Sequence, residues 1–220
     1  MSAVTAHTQH DEAHANGHEV PYPQQLRANR LGLWLFLFSE LFLFGAIFAA
    51  RFVLWGNTRP DLSQEIGLLA TVILLLSSFF MYRSEVGAAY GDRTKFLRNA
   101  LLAAFLGTVF LVMVVVMEWN VFGLSGEIMG IELFGHLKPS DGVFGGVFYA
   151  MTGMHAIHVV TGIALILIIW WNGRRGAYTP ERHWGVEAAA IYWHYVDVVW
   201  VFFYPALYLI GTAVGGGHGG

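Results

Sequence analysis

Long apolar runs broken by short polar stretches set the plan of this chain. Five stand out: about Leu31 to Ala50, whose one charged residue is Glu40; Ile66 to Tyr82; Asn99 to Met117; Gly142 to Asn172; and a last run from His183 to near Thr212. Each is long enough for a helix of about 20 residues, the length that crosses a bilayer, allowing for frayed ends and tilt. Backbone hydrogen bonds must close internally in hydrocarbon, so all five read as helices. The fold class is therefore all-α: a polytopic membrane protein built as a bundle of five transmembrane helices. Around it, residues 1–25 read as a flexible His-rich tail, 26–213 as the membrane domain and 214–220 as a Gly-rich flexible tail.

Charge and composition sharpen that picture. The chain is 56% hydrophobic and 12% charged, about half the charged share of a soluble domain. With the N-terminus inside, the inner segments hold nine Lys and Arg (Arg27, Arg30, Arg83, Arg93, Lys95, Arg98, Arg174, Arg175, Arg182) and the outer ones three (Arg51, Arg59, Lys138), which together make the 12 present. The excess of cations predicts a cytoplasmic N-terminus and a periplasmic C-terminus. Trp34, Trp55, Trp119, Trp170, Trp171 and Trp184 fall near the expected interfaces, as an aromatic belt requires. The net charge of −3 gives nothing for nucleic acid to bind, and with no Cys there are no disulfides, zinc-thiolate sites or iron–sulfur clusters. Residues 1–25 hold no Lys or Arg, so they are neither signal nor transit peptide.

Ionisable residues inside such helices are the informative exceptions. A charged group at membrane depth costs about 2.5–3.5 kcal/mol and faces protein or water. On the last helix Glu187, His194, Asp197 and Tyr204 fall within roughly a 100° arc, which makes one side of it polar. Glu40 sits roughly 15 Å along the first helix, where a lone carboxyl should be neutral or paired. His155 and His158 share a face of the fourth helix; that spacing is compatible with metal, but a hydrogen-bonded interhelical role is the simpler expectation. Gly142, Gly145, Gly146, Gly153 and Gly162 on the same helix should let neighbours approach closely. Glu40, His155, His158, Glu187, His194 and Asp197 are thus the candidates for a buried polar layer. Glu118, at the end of the third helix, is expected near solvent.

The run from His183 to Trp200, His-x-Gly-x-Glu-Ala-Ala-Ala-x-Tyr-Trp-His-x-Val-Asp-Val-Val-Trp, resembles the last transmembrane helix of subunit III of haem-copper respiratory oxidases. Thr152-Gly153-Met154-His155-Ala156-Ile157-His158 and Phe38-Ser39-Glu40 resemble two other helices of that family, and the likeness extends over about Leu31 to Gly211. Because long members have seven helices and their Ser-Glu helix is the third, this chain resembles the short five-helix bacterial form. The resemblance implies no catalytic residue, no metal and no cofactor in this chain, with haem and copper in partner subunits I and II. It implies bound phospholipid near Glu40, headgroup contacts at Arg174, Arg175 and His183, and partners among subunit I, subunit II, a small subunit IV and a respiratory supercomplex. The setting would be the bacterial inner membrane, and the complex would reduce dioxygen and pump protons. A quinol oxidase or nitric-oxide-reductase relative is the alternative within the superfamily; an independent proton or ion transporter is the alternative outside it.

His7, His10, His14 and His18 form a cluster whose unperturbed pKa near 6.5 suits a proton antenna on the cytoplasmic side. Deleting residues 1–17 should slow oxygen turnover above about pH 7.5, where such groups lose their protons. A pH profile of turnover with and without the segment checks this.

Overall fold

The computed structural model describes residues 21–60, 62–120, 127–128, 131–132 and 137–214. The four tail histidines and the Gly-rich end lie outside these residues. Five long helices follow in order: α1 (Tyr22–Trp55), α2 (Gln64–Ala89), α3 (Arg93–Val112), α4 (Gly142–Arg174) and α5 (Trp184–Tyr204). α3 and α5 run on into wider π-helical turns, Met113–Glu118 and Pro205–Leu209. With those continuations all five are long and apolar enough to cross a membrane. Short strands sit in the connections. β1 (Thr58–Pro60) lies between α1 and α2, β2 (Glu127–Ile128) and β3 (Ile131–Glu132) form an antiparallel pair before α4, and β4 (Thr212–Val214) pairs in parallel with β1, Thr58 opposite Thr212. By its contacts the chain divides into residues 1–36, where Tyr22–Phe36 begins α1, and residues 37–220, which hold the rest.

The helices overrun the apolar segments that announce them. α2 continues past Tyr82 through Arg83, Ser84 and Glu85 because nothing breaks it before Gly91. There the backbone turns left-handed (φ 72°), a conformation glycine adopts without strain, and the amides of Gly91 and Asp92 bond back to Ala88 and Gly87. Asp92 then starts α3, its side chain accepting from the Lys95 amide at 2.9 Å. The Lys95 ammonium, also at 2.9 Å, and then that backbone bond hold the Asp92 carboxyl below the usual carboxylate range. Arg93, next in line, donates to the carbonyls of Gly173 (3.2 Å) and Arg174, which closes the end of α4. Pro205 has no N–H and cannot extend the regular ladder, so α5 widens there.

Trp193 is the side chain on which the bundle closes. It is fully buried and gives its indole N–H to Ser77 of α2 at 3.1 Å. Its ring fills the space over Gly107 of α3 and Gly162 of α4: a Cβ on either glycine would come within 2.6 Å and 2.5 Å of it. Ser77 in turn donates to the Ala103 carbonyl of α3 at 2.8 Å. About two turns further along, Trp200 donates to Thr71 of α2 at 3.0 Å. Of the glycines expected to admit a neighbouring helix, Gly162 does so against α5. Gly145 instead lies under the Lys138 carbonyl, and a Cβ on Gly146 would meet nothing within 4 Å.

Three sequence expectations change in the fold. Arg51, counted with the outer loop, belongs to α1 itself, just before its last turn, and is completely buried. Its guanidinium donates to Ala206 (2.6 Å), Gly56 (2.9 Å), Thr58 and Ile210, all backbone carbonyls. A planar fork with five donors suits that task, since the carbonyls at the end of α5 have no helical partner. Trp55 and Trp119 are not belt residues: Trp55 is buried and donates to the Val143 carbonyl at 3.3 Å, and Trp119 donates to Thr152 at 3.0 Å.

Gly162→Leu should therefore force Trp193 out of place and destabilise the protein by about 1–3 kcal/mol, as overpacking does. Gly146→Ala, with open space around it, should be near neutral. Thermal unfolding of the detergent-solubilised protein compares the two.

Candidate functional site

The polar candidates of the sequence fall into two pairs and several single residues. On α1, Glu40 meets His158 of α4, Oε2 to Nε2 at 3.0 Å. The other imidazole nitrogen, Nδ1, faces the Met154 carbonyl at 2.8 Å, one helical turn back. Both ring nitrogens of His158 are thus engaged, and the imidazole is fixed in orientation. Phe44, one turn along α1, lays its ring edge-on to His158 at 4.7 Å, and the Tyr192 hydroxyl donates to the His158 carbonyl at 3.3 Å. The pair sits in an apolar sleeve, and a carboxyl there keeps its hydrogen-bond partner because hydrocarbon supplies none.

The second pair lies on α5. His194 Nδ1 is 2.6 Å from Ser78 Oγ of α2 and 4.0 Å from Asp197 Oδ2, one turn further on. Asp197 is buried, and its carboxylate oxygens have no hydrogen-bond partner among the described residues. No hydrogen bond between described residues joins this pair to Glu40 and His158; Phe44, whose ring also lies 6.2 Å from that of Tyr195, stands at the α1 end of the gap.

The remaining candidates sit apart. His155 is fully buried, its ring tilted against that of Trp200 at 4.8 Å and edge-on to Phe110 at 5.7 Å. Neither of its nitrogens finds a hydrogen-bond partner among the described residues, so the bonded role expected for both histidines falls to His158. Glu187, in the first turn of α5, interacts electrostatically with Glu85 at the end of α2, as does His183. Arg174 lies over Trp170 at 4.9 Å and Arg175 over Trp171 at 4.8 Å, the cation–π stacking that suits guanidinium beside indole. Among the described residues no group of three or more His, Cys, Asp or Glu is placed to hold a metal ion.

Sequence reasoning missed several polar groups. Glu118, expected near solvent, is buried at the end of the first π-turn and accepts a hydrogen bond from Tyr208 in the second. Ser77, Ser78 and Thr71 turned out to be the acceptors and partners of α5. Hydroxyl residues are ordinary in membrane helices, so only their position opposite an indole or imidazole marks them.

Comparison with known proteins gives a consistent answer. The family model described as Cytochrome c oxidase subunit III matches residues 9–212. A cytochrome c oxidase subunit 3 of Thermostichus vulcanus is 34% identical over 187 residues, covering 82% of this chain and 86% of that protein. The subunit 3 of a Synechocystis strain is 32% identical over 189 residues, 81% and 74% of the two chains. That of Papio hamadryas is 32% identical over 208 residues, 89% and 73%.

Glu40→Ala should leave His158 Nε2 without its partner beside a void. A destabilisation on the order of 2 kcal/mol is expected, while Glu40→Gln, whose amide can donate or accept at the same place, should lose far less. Melting temperatures of the two solubilised variants check the order.

Proposed function

Because the chain belongs to the cytochrome c oxidase subunit III family, we propose that it is the non-redox subunit of a bacterial terminal oxidase that reduces dioxygen to water and pumps protons. In this reading haem and copper belong to subunits I and II. The five-helix bundle flanks subunit I in the inner membrane, with its N-terminus cytoplasmic and its C-terminus periplasmic. It holds phospholipid beside the catalytic core and keeps proton uptake reliable over many turnovers.

One observation carries the stabilising part of this reading. Glu40 and His158 form a strut whose ring has both nitrogens occupied. A proton carrier must exchange partners as it changes charge, whereas this pair is fixed between α1 and α4. The lipid part has its own support. A groove of about 450 Å³ between the outer halves of α1 and α4 is lined by apolar residues alone, among them Ala46, Ala50, Leu54, Val147 and Ala150. Phe38, Phe42 and Val53 on α1 also remain exposed, a surface that suits acyl chains or a neighbouring helix. At the opposite, C-terminal end of α4, Arg174 and Arg175 lie over indoles, an arrangement that suits anionic headgroups.

Purification through an affinity tag on this chain should bring down haem-bearing membrane subunits, whereas an independent transporter would come alone. In that complex Glu40→Gln should start at a near-normal oxygen-reduction rate, and Glu40→Ala should start similarly but inactivate several-fold sooner under sustained turnover. An oxygen-consumption trace followed to inactivation measures both. Loss of the initial rate in an assembled Glu40→Gln complex would assign the carboxyl to proton transfer instead.

A further inference from the structure

At the end of the bundle where α3 and α5 finish, their two π-helical turns are joined by one side-chain bond. Tyr208 of the α5 turn donates to Glu118 of the α3 turn. Each turn closes on a backbone bond one residue longer than the α-helical one, Trp119 N–H to Val114 and Ile210 N–H to Pro205. The α5 turn has a cause and a brace. Pro205 cannot donate, Arg51 takes the Ala206 and Ile210 carbonyls, and the Tyr208 ring lies against Gly67, where a Cβ would come within 2.9 Å of it. The α3 turn differs. Met113–Glu118 contains neither Pro nor Gly, so nothing in its own residues breaks the regular ladder. Side chains hold it wide: Glu118 on Tyr208, and Trp119 donating to Thr152 of α4 at 3.0 Å.

This arrangement leaves buried polar atoms unfinished. Glu118 Oε1 and both ring nitrogens of His155 have no hydrogen-bond partner among the described residues. His155 follows Thr152 by about one turn of α4, so the Trp119 indole packs on α4 one turn nearer the end of the bundle than the imidazole does. Buried groups without partners favour a rearrangement that brings water to them. One is at hand in the α3 turn. Losing the extra residue from that turn restores α-helical register and swings Glu118 by about 100°. Glu118 and Trp119 are consecutive, so the same rotation takes the carboxyl off Tyr208 and the indole off Thr152.

We propose that the α3 π-turn is a gate over His155. With Glu118 bonded to Tyr208 it is shut, and its relaxation to α-helical register admits water to the imidazole. The α5 turn, braced by Arg51 and Gly67, is the fixed side against which it closes. Two backbone registers with different side-chain partners make a two-state element, distinct from gradual fraying. The gate lies wholly within this chain. Opened, it makes His155 a hydrogen-bonding group reachable from the end of the bundle where α3 finishes.

The test uses the full chain in the assembly in which it purifies. Amide hydrogen exchange over 113–119, read by mass spectrometry, follows the turn. Modification by diethyl pyrocarbonate, assigned to His155 by fragmentation, reports whether water reaches the imidazole. Tyr208→Phe keeps the ring against Gly67 and removes the hydroxyl that shuts the gate. It should raise both rates roughly tenfold, the weight of one buried hydrogen bond, while exchange in the rest of α3 stays as it was. Glu118→Gln, whose amide oxygen still accepts from Tyr208, should stay closed. Unchanged exchange over 113–119 in Tyr208→Phe overturns the proposal. So does faster exchange spread evenly along α3, which is general loosening. Faster exchange with His155 no more readily modified overturns it too, as does a Glu118→Gln chain that opens as far as Tyr208→Phe.

Discussion

The bundle depends on one indole. Trp193 is pressed between a glycine of α3 and a glycine of α4 while its N–H reaches a serine of α2, so α5 is held against three helices at one level. The requirement behind this is general. A membrane gives no hydrophobic drive for helices to leave lipid, so association relies on close packing and internal hydrogen bonds. Glycine supplies the first and serine the second. The same pairing of a large ring with a small or hydroxyl residue recurs at Trp200 and Thr71, which makes α5 the helix that the others register against.

Polar groups in this setting are arranged by who can satisfy them. Glu40 has His158, and His158 has a backbone carbonyl for its other nitrogen. Glu118 has Tyr208, and Arg51 has four carbonyls. Each finds its partner inside the chain, although the second carboxyl oxygen of Glu118 has none among the described residues. His194 differs because its partner on the inner side is present and its outer edge is open.

Five spans and their approximate places were legible from the sequence because lipid demands length and apolarity and little else. The polar candidates were legible for the opposite reason: Glu40, His158, His194 and Asp197 are rare at that depth. Who pairs with whom was not. The helical period puts Glu187, His194 and Asp197 on one side of α5, but it is silent on which helix lies opposite, so Ser78 and Glu85 could not be chosen over other residues. Gly107 gave no signal either, since a glycine in an apolar run looks the same whether it faces an indole or lipid. Arg51 misled for a physical reason: an arginine near the end of a span normally snorkels to water, and here the end of α5 offers it carbonyls instead. Glu118 misled likewise, since the π-helical turn that carries it inward leaves no mark in the residue pattern.

Arg51 also bears on the order in which the protein comes to exist. Its guanidinium sits in α1, yet two of its acceptors, Ala206 and Ile210, come 155 and 159 residues later. Throughout synthesis the newly inserted α1 carries a cation whose final partners have not yet been polymerised. The C-terminal end of α1 is therefore among the last parts to lock, and a chain truncated before Pro205 leaves that cation without them. A built-in check on completeness follows: α1 acquires its final anchorage when the ribosome has delivered the end of α5.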